Sequence, residues 1–239
     1  QQGAILFIHG GGWVAGNKSG FTNRAIGVSE KYGCITASMN YRYASDKVDC
    51  NDMLDDIDLA IEKIKDTAAA NGAELKRVML VGFSAGGHLA MLYAYTRKST
   101  AALKVCAVAS YSGPTDLSSR KFIEKNALGS EELMRGIVSD LIGQKVTKKN
   151  FESKKDKLLE ISPVNHVSSS CVPTLVVQGE KDKIVYPSDT RVFVEKLKAK
   201  GVTYKYFELE GAGHQLDEDE AMLEESNEAF GSYVKKYLK

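Results

Sequence analysis

The stretch Val78-Met79-Leu80-Val81-Gly82-Phe83-Ser84-Ala85-Gly86-Gly87-His88-Leu89-Ala90 is the most informative in the chain. An apolar run enters a G-x-S-x-G turn at Gly82, Ser84 and Gly86, and a helix-like run leaves it. Between strand and helix, this pattern describes a sharp turn that holds a serine in a strained conformation with its oxygen exposed. Glycines stand two before and two after because side chains there would collide across the turn. The next amide, at Ala85, opens the helix, where an unsatisfied N–H can stabilise an oxyanion. Without those flanks, G-x-S-x-G is an ordinary glycine-rich turn.

Outward from this turn, short apolar runs alternate with amphipathic stretches. The runs are Ala4–Ile8, Cys34–Met39, Arg77–Phe83, Val105–Ser110, Thr174–Gln178 and Thr203–Leu209. In Asp52–Ala70, Met53, Ile57, Ala60, Ile61 and Ile64 recur at helical spacing, and Asn71-Gly72 ends the helix. Lys200-Gly201 closes a helix around Val192–Ala199 in the same way. Such alternation predicts βαβ units and a parallel sheet covered on both faces. From Pro114 to about Pro173 the rhythm breaks into a Lys-, Ser- and Glu-rich excursion with a helical stretch at Glu131–Ile142. Excursions of that length are often active-site caps. There is no internal repeat and no linker, so residues 1–239 read as one domain with an insertion at about 114–173.

A second glycine cluster follows the first strand, in His9-Gly10-Gly11-Gly12-Trp13. Consecutive glycines let backbone N–H groups approach a ligand, and in acyl transfer they would face the oxygen of a tetrahedral intermediate. Two nucleotide readings compete. Gly10, Gly12 and Ala15 satisfy G-x-G-x-x-A, but the next strand ends at Asn40 where a ribose-binding acid is expected. Gly11–Ser19 resembles a phosphate loop, but Asn17 separates Gly16 from Lys18 and breaks the required order.

Four histidines make elimination practical. His9 precedes the glycines and braces that loop, His88 lies one turn into the elbow helix, and His166 has no obvious partner. His214 occurs in Gly211-Ala212-Gly213-His214, a loop after the last strand that can deliver a general base. For the acid, Asp182 sits just past the fifth strand, at the carboxyl edge where ligands bind. Glu180 and Asp217 compete for that role, with Glu208 and Glu210 on the preceding strand. The chain order Ser84, Asp182, His214 is the one expected of a nucleophile-elbow fold.

These segments, with Asn40-Tyr41-Arg42-Tyr43, Ser112-Gly113-Pro114-Thr115-Asp116 and Ser162-Pro163, resemble the α/β-hydrolase superfamily. The H-G-G-G loop points to its esterase/lipase branch, and the matching motifs span nearly the whole chain in order. The resemblance implies attack by Ser84, base catalysis by His214, orientation by Asp182, and an oxyanion hole from the amides of Gly11, Gly12 and Ala85. Similar families include carboxylesterases, acetyl-sugar and acetyl-xylan esterases, and arylformamidases. Family members usually carry two further strands before the H-G-G-G strand. A sheet of six strands is therefore expected, in the order second, first, third, fourth, fifth, sixth. The second strand would then form an edge, expected to be covered by another chain, as in a homo-oligomer, or by residues removed upstream.

The expected reaction is hydrolysis of short-acyl esters through an acyl-enzyme, with no metal or organic cofactor. Formamide or amide hydrolysis is the alternative within the class, and a non-catalytic ligand-binding domain on the same fold is the alternative outside it. The excursion carries Lys121, Lys125, Lys145, Lys148, Lys149, Lys154, Lys155 and Lys157 with scattered apolar residues, unlike the broad apolar lid of a lipase. Trp13 is a candidate to stack on a small ring or sugar face, with core packing as its other reading. The net charge of +1, from 32 basic and 31 acidic residues, supplies no field for nucleic acid. No run reaches the roughly 18 apolar residues of a membrane span. Asp217–Glu220, Glu224 and Glu225 read as the first turn of a final helix. Cys34, Cys50, Cys106 and Cys171 have no metal or disulfide spacing, which favours a reducing compartment. Secretion is the alternative if a signal preceded Gln1.

Overall fold

Residues buried on both faces of a parallel sheet must be apolar throughout, and the six apolar runs become six parallel strands. They are β1 (Gly3–Ile8), β2 (Ile35–Met39), β3 (Arg77–Phe83), β4 (Lys104–Tyr111), β5 (Thr174–Gly179) and β6 (Tyr204–Leu209). The computed structural model describes residues 3–217 and 220–238. The order β2-β1-β3-β4-β5-β6, parallel at every step, agrees with the expected one. The order reverses between β1 and β3, so the loops after these two strands diverge and leave a crevice at their carboxyl ends.

The strands divide their side chains between two cores. From β1, Ala4, Leu6 and Ile8 enter one core, and Ile5 and Phe7 enter the other. The first core is covered by α2 (Cys50–Ala70), α3 (Ala85–Thr96) and α7 (Pro187–Ala199). The second is covered by α1 (Thr22–Tyr32) and α8 (Glu220–Tyr237). Fully burying one Leu or Ile side chain is worth about 1.5–3 kcal/mol, so these layers carry the fold.

Helix ends follow local chemistry. Asp49 caps α2 by accepting from the Asn51 amide at 2.7 Å, while Asp52 returns to the Asp49 amide at 2.9 Å. Pro187 sits at the first turn of α7, which starts five residues before the apolar repeat at Val192 becomes readable. α1 buries only Ala25 and Val28, which explains its weak periodicity. Of the acidic run, Glu218 and Asp219 lie outside the described residues, and α8 is described from Glu220.

The excursion after β4 holds α4 (Arg120–Glu124), α5 (Glu131–Leu141), α6 (Phe151–Glu160) and a 3-10 turn at Pro163–His166. Most of its large apolar residues face inward: Phe122, Ile123, Met134, Ile137, Val138, Leu141, Phe151 and Leu158 all join the α3-side core, while Leu128 and Leu133 are exposed. Lys121, Lys125, Lys145, Lys148, Lys149, Lys155 and Lys157 remain exposed. Among the described residues no helix is long and apolar enough to cross a membrane.

Candidate active site

Ser84 follows β3 directly, with φ 52° and ψ −124°, a conformation strained for any residue but glycine. Its amide donates to the Tyr111 carbonyl at 2.8 Å, which ties the turn to β4. The turn closes only because residue 86 has no side chain. A Cβ on Gly86 would lie 2.0 Å from the Ile8 carbonyl oxygen, at the end of β1. Nucleophile turn and H-G-G-G loop are thereby packed against each other.

The loop after β6 brings His214 over this serine. His214 Nε2 lies 2.9 Å from Ser84 Oγ, and His214 Nδ1 lies 2.7 Å from Asp182 Oδ2. Asp182 is buried in the turn after β5, and its carboxylate is fully engaged. Oδ1 accepts the amides of Ile184 at 2.8 Å and Val185 at 2.9 Å, and Oδ2 also accepts Gln178 Nε2 at 2.8 Å. The Nδ1 proton therefore points at the carboxylate, and Nε2 is left as the acceptor facing the serine. Such a relay can take a hydroxyl proton as the oxygen attacks.

The competing acids have other partners or none near. Glu180 accepts the Gly211 amide at 2.9 Å, Glu208 is paired with Arg191, and Asp217 is exposed. His166 contacts the Glu160 carbonyl at 2.7 Å, away from the serine. The H-G-G-G loop turns through consecutive positive φ values at Gly11 (117°), Gly12 (59°) and Trp13 (63°). A Cβ on Gly11 would lie 2.1 Å from the Ala15 carbonyl oxygen, so only glycine fits. The amides of Gly11, Gly12 and Ala85 have no acceptor among the described residues. Among those residues no group of three or more His, Cys, Asp or Glu side chains could hold a metal ion.

The model of the BD-FAE family matches residues 1–197 of the sequence. The chain belongs to the BD-FAE family. This BD-FAE chain is 27% identical over 203 residues to the probable carboxylic ester hydrolase LipM of Mycobacterium tuberculosis, covering 81% of the chain and 44% of LipM. It is 26% identical over 223 residues to Esterase LipC of the same organism, covering 89% and 53%. The chain thus spans about half the length of these curated relatives. Its fold is shared by esterase Est2 of Thermogutta terrifontis in a butyrate-bound form. Their TM-score is 0.74 at 22% identity, over 99% of this chain and 84% of Est2. It is shared too by a truncated carbohydrate esterase from gut microbiota. There the TM-score is 0.76 at 21% identity, over 98% and 87% of the two chains.

Trp13 of this BD-FAE domain requires a correction. Its ring is 2% exposed, its Nε1–H donates to His88 Nδ1 at 3.2 Å, and it meets Phe122 edge-on at 6.3 Å. No face is free for a sugar, so Trp13 is a core residue that anchors the glycine loop. His88 in turn donates from Nε2 to the Ile161 carbonyl at 2.6 Å, and burial pushes its pKa down to about 4. His9 is stacked on Tyr41, with ring centres 4.3 Å apart, and its carbonyl accepts Tyr41 Oη at 3.0 Å, which braces the loop as expected. Asn40, the failed ribose ligand, accepts the Lys18 amide at 2.7 Å.

Sequence reasoning missed two residues around this BD-FAE site. Gln178, a lone polar residue ending an apolar strand, holds Asp182 and also donates to the Val185 carbonyl at 3.0 Å. Ser112 donates to the His214 carbonyl at 2.9 Å and fixes the base loop. For Gln178 the signal was present: a polar side chain in a buried run must have a partner.

Proposed function

We propose that this domain is a carboxylic ester hydrolase for short-acyl esters, working through Ser84, His214 and Asp182. The observation that carries the reading is the continuous line from Ser84 Oγ through His214 to the buried Asp182, at 2.9 and 2.7 Å. Ser84 Oγ attacks the ester carbonyl while His214 Nε2 takes its proton. The amides of Gly11, Gly12 and Ala85 receive the resulting oxyanion. Collapse of the intermediate expels the alcohol, which leaves with the proton from Nε2. Water then adds to the acyl-serine with Nε2 as base, the acid departs, and Ser84 regains its proton. Asp182 stays ionised and stabilises the imidazolium.

Short acyl groups fit the walls available. From the cap, Leu128 reaches the glycine loop, and its Cδ2 would lie 2.9 Å from a Cβ on Gly12. Leu133 is likewise exposed, and most of the other large apolar cap residues are turned into the core. Butyrate and propionate are bound in structures of Est2, which shares the fold. Ser84→Ala should abolish turnover of p-nitrophenyl butyrate, by about 10³-fold or more, with unchanged melting temperature. The same variant should lose labelling by a fluorophosphonate probe. Wild-type turnover in Ser84→Ala would reject the mechanism. We propose further that the edge of β2, which pairs with β1 alone among the described residues, is covered by a second copy of the chain or by another segment of the protein.

A further inference from the structure

A cavity of about 330 Å³ opens beside the proposed reaction centre, with walls that include Phe21, Phe83, Tyr111 and Leu216. Two of its lining residues lie against the reacting side chains. Phe83 precedes Ser84 and its ring lies 5.3 Å from the His214 imidazole. Gly10 also lines it, and a Cβ there would lie 3.1 Å from the Ser84 Cβ.

Arg24, from α1, lines the same cavity. Its Nη2 donates to Tyr111 Oη at 2.8 Å and to Asn227 Oδ1 at 3.4 Å. The guanidinium carbon stands 4.5 Å from the Tyr111 ring centre and 5.6 Å from that of Phe230. The head group is thus held in place by neutral partners alone. Arg42, Arg97, Arg120, Arg135 and Arg191 each pair with an Asp or Glu, but among the described residues Arg24 has no carboxylate partner. Its Nε and Nη1 have no acceptor among the described residues. His9, also in the lining, adds no second charge, because burial lowers its pKa and favours the neutral imidazole. Arg24 is therefore the single formal charge lining the cavity among the described residues.

An oriented guanidinium with spare donors, set among apolar walls, prefers an anionic oxygen acceptor over a neutral one. We infer that this cavity receives one arm of the ester substrate, that the arm carries a carboxylate, and that Arg24 is the residue selecting for it. The inference rests on the ester-hydrolase reading and narrows it to anionic esters. The carboxylate belongs either to the acyl arm, as in a half-ester of a dicarboxylic acid, or to the alcohol arm, as in the ester of a hydroxy acid.

Two substrate pairs test this. For the acyl arm, p-nitrophenyl hydrogen glutarate is compared with p-nitrophenyl methyl glutarate. For the alcohol arm, 4-acetoxybenzoate is compared with its methyl ester. The readout is the ratio of kcat/KM, anionic over neutral, so a general loss of activity cancels. In one pair the wild-type ratio should exceed unity, and Arg24→Gln should lower it about tenfold, the size expected for hydrogen bonds to a charged group. Arg24→Lys, which keeps the charge, should retain part of the preference. Should Arg24→Gln fail to fold, the wild type itself serves: rising sodium chloride should lower the ratio by screening the guanidinium. Neutral esters turned over with a ratio insensitive to Arg24→Gln, or to salt, would overturn the inference and leave the hydrolase reading standing. No turnover of any of the four esters would overturn the hydrolase reading, and this inference with it.

Discussion

Asp182 accepts four hydrogen bonds: two backbone amides, the Gln178 side chain and His214. Gln178 is itself saturated, since its Oε1 accepts from Thr190 Oγ1 at 3.1 Å. Gln178→Leu should strand the Val185 carbonyl and the Thr190 hydroxyl in the core and cost about 1–3 kcal/mol in urea unfolding. It should also lower kcat more than it changes KM, because the base loses part of its orientation. An unchanged unfolding midpoint would refute this role. His88 gives a pH dependence. Its pKa is pushed down to about 4 in the fold, against an ordinary 6.5, by burial. The unfolded chain therefore binds a proton between these values that the native state refuses. Stability from this group is complete above pH about 6.5 and falls away as pH drops towards 4, by about 3 kcal/mol in all. The difference between wild-type and His88→Gln unfolding free energies, followed from pH 7 to pH 4, should show that slope. Parallel curves would remove His88 as its source.

Among the elements, the cap and α3 are the least regular in sequence. Every residue of α3 from Ala85 to Tyr95 is buried, so the helix is apolar all round and has no polar face to mark it. In the cap, α6 buries only Phe151 and Leu158 among its lysines. These helices are held by a few anchors, and the exposed large apolar side chains of the cap are Leu128 and Leu133 among the described residues. A longer acyl chain gains about 0.8 kcal/mol per CH₂ only where a wall receives it. Hence kcat/KM should peak between acetyl and butyryl and fall steeply by octanoyl. The series of p-nitrophenyl acetate, butyrate, octanoate and palmitate checks this, and a maximum at palmitate would reject it.

For the molecule as a whole, the edge of the sheet at β2 bears on assembly. β2 pairs with β1 alone among the described residues, and its other side carries unpaired backbone groups. A shallow groove lined by Ile35, Ala37, Ile64 and Ala68 adjoins it. Unpaired edges of this kind are templates for another strand. Sedimentation should find a dimer, and dimer formation should slow hydrogen exchange at Ile35–Met39. A monomer with fast exchange at that edge would refute pairing.

Fold class and the Ser84 turn were legible in the sequence because each has a local signature; His214 follows by elimination, and the strand order from the family resemblance. Buried parallel strands must be continuously apolar, and a strained serine turn needs small residues at fixed offsets. Asp182 reads as the acid with Glu180 as a competitor two residues away, and what separates the two, burial of Asp182 in the turn after β5, is a tertiary feature. The fate of Trp13 was not legible, since it depends on His88, 75 residues away in the chain. Gln178 and Arg24 acquire their roles in the same way, from partners that only folding brings within reach. Periodicity records which face of an element is buried. Which polar atom meets which, and which charge is left unpaired beside a cavity, is decided when distant segments pack.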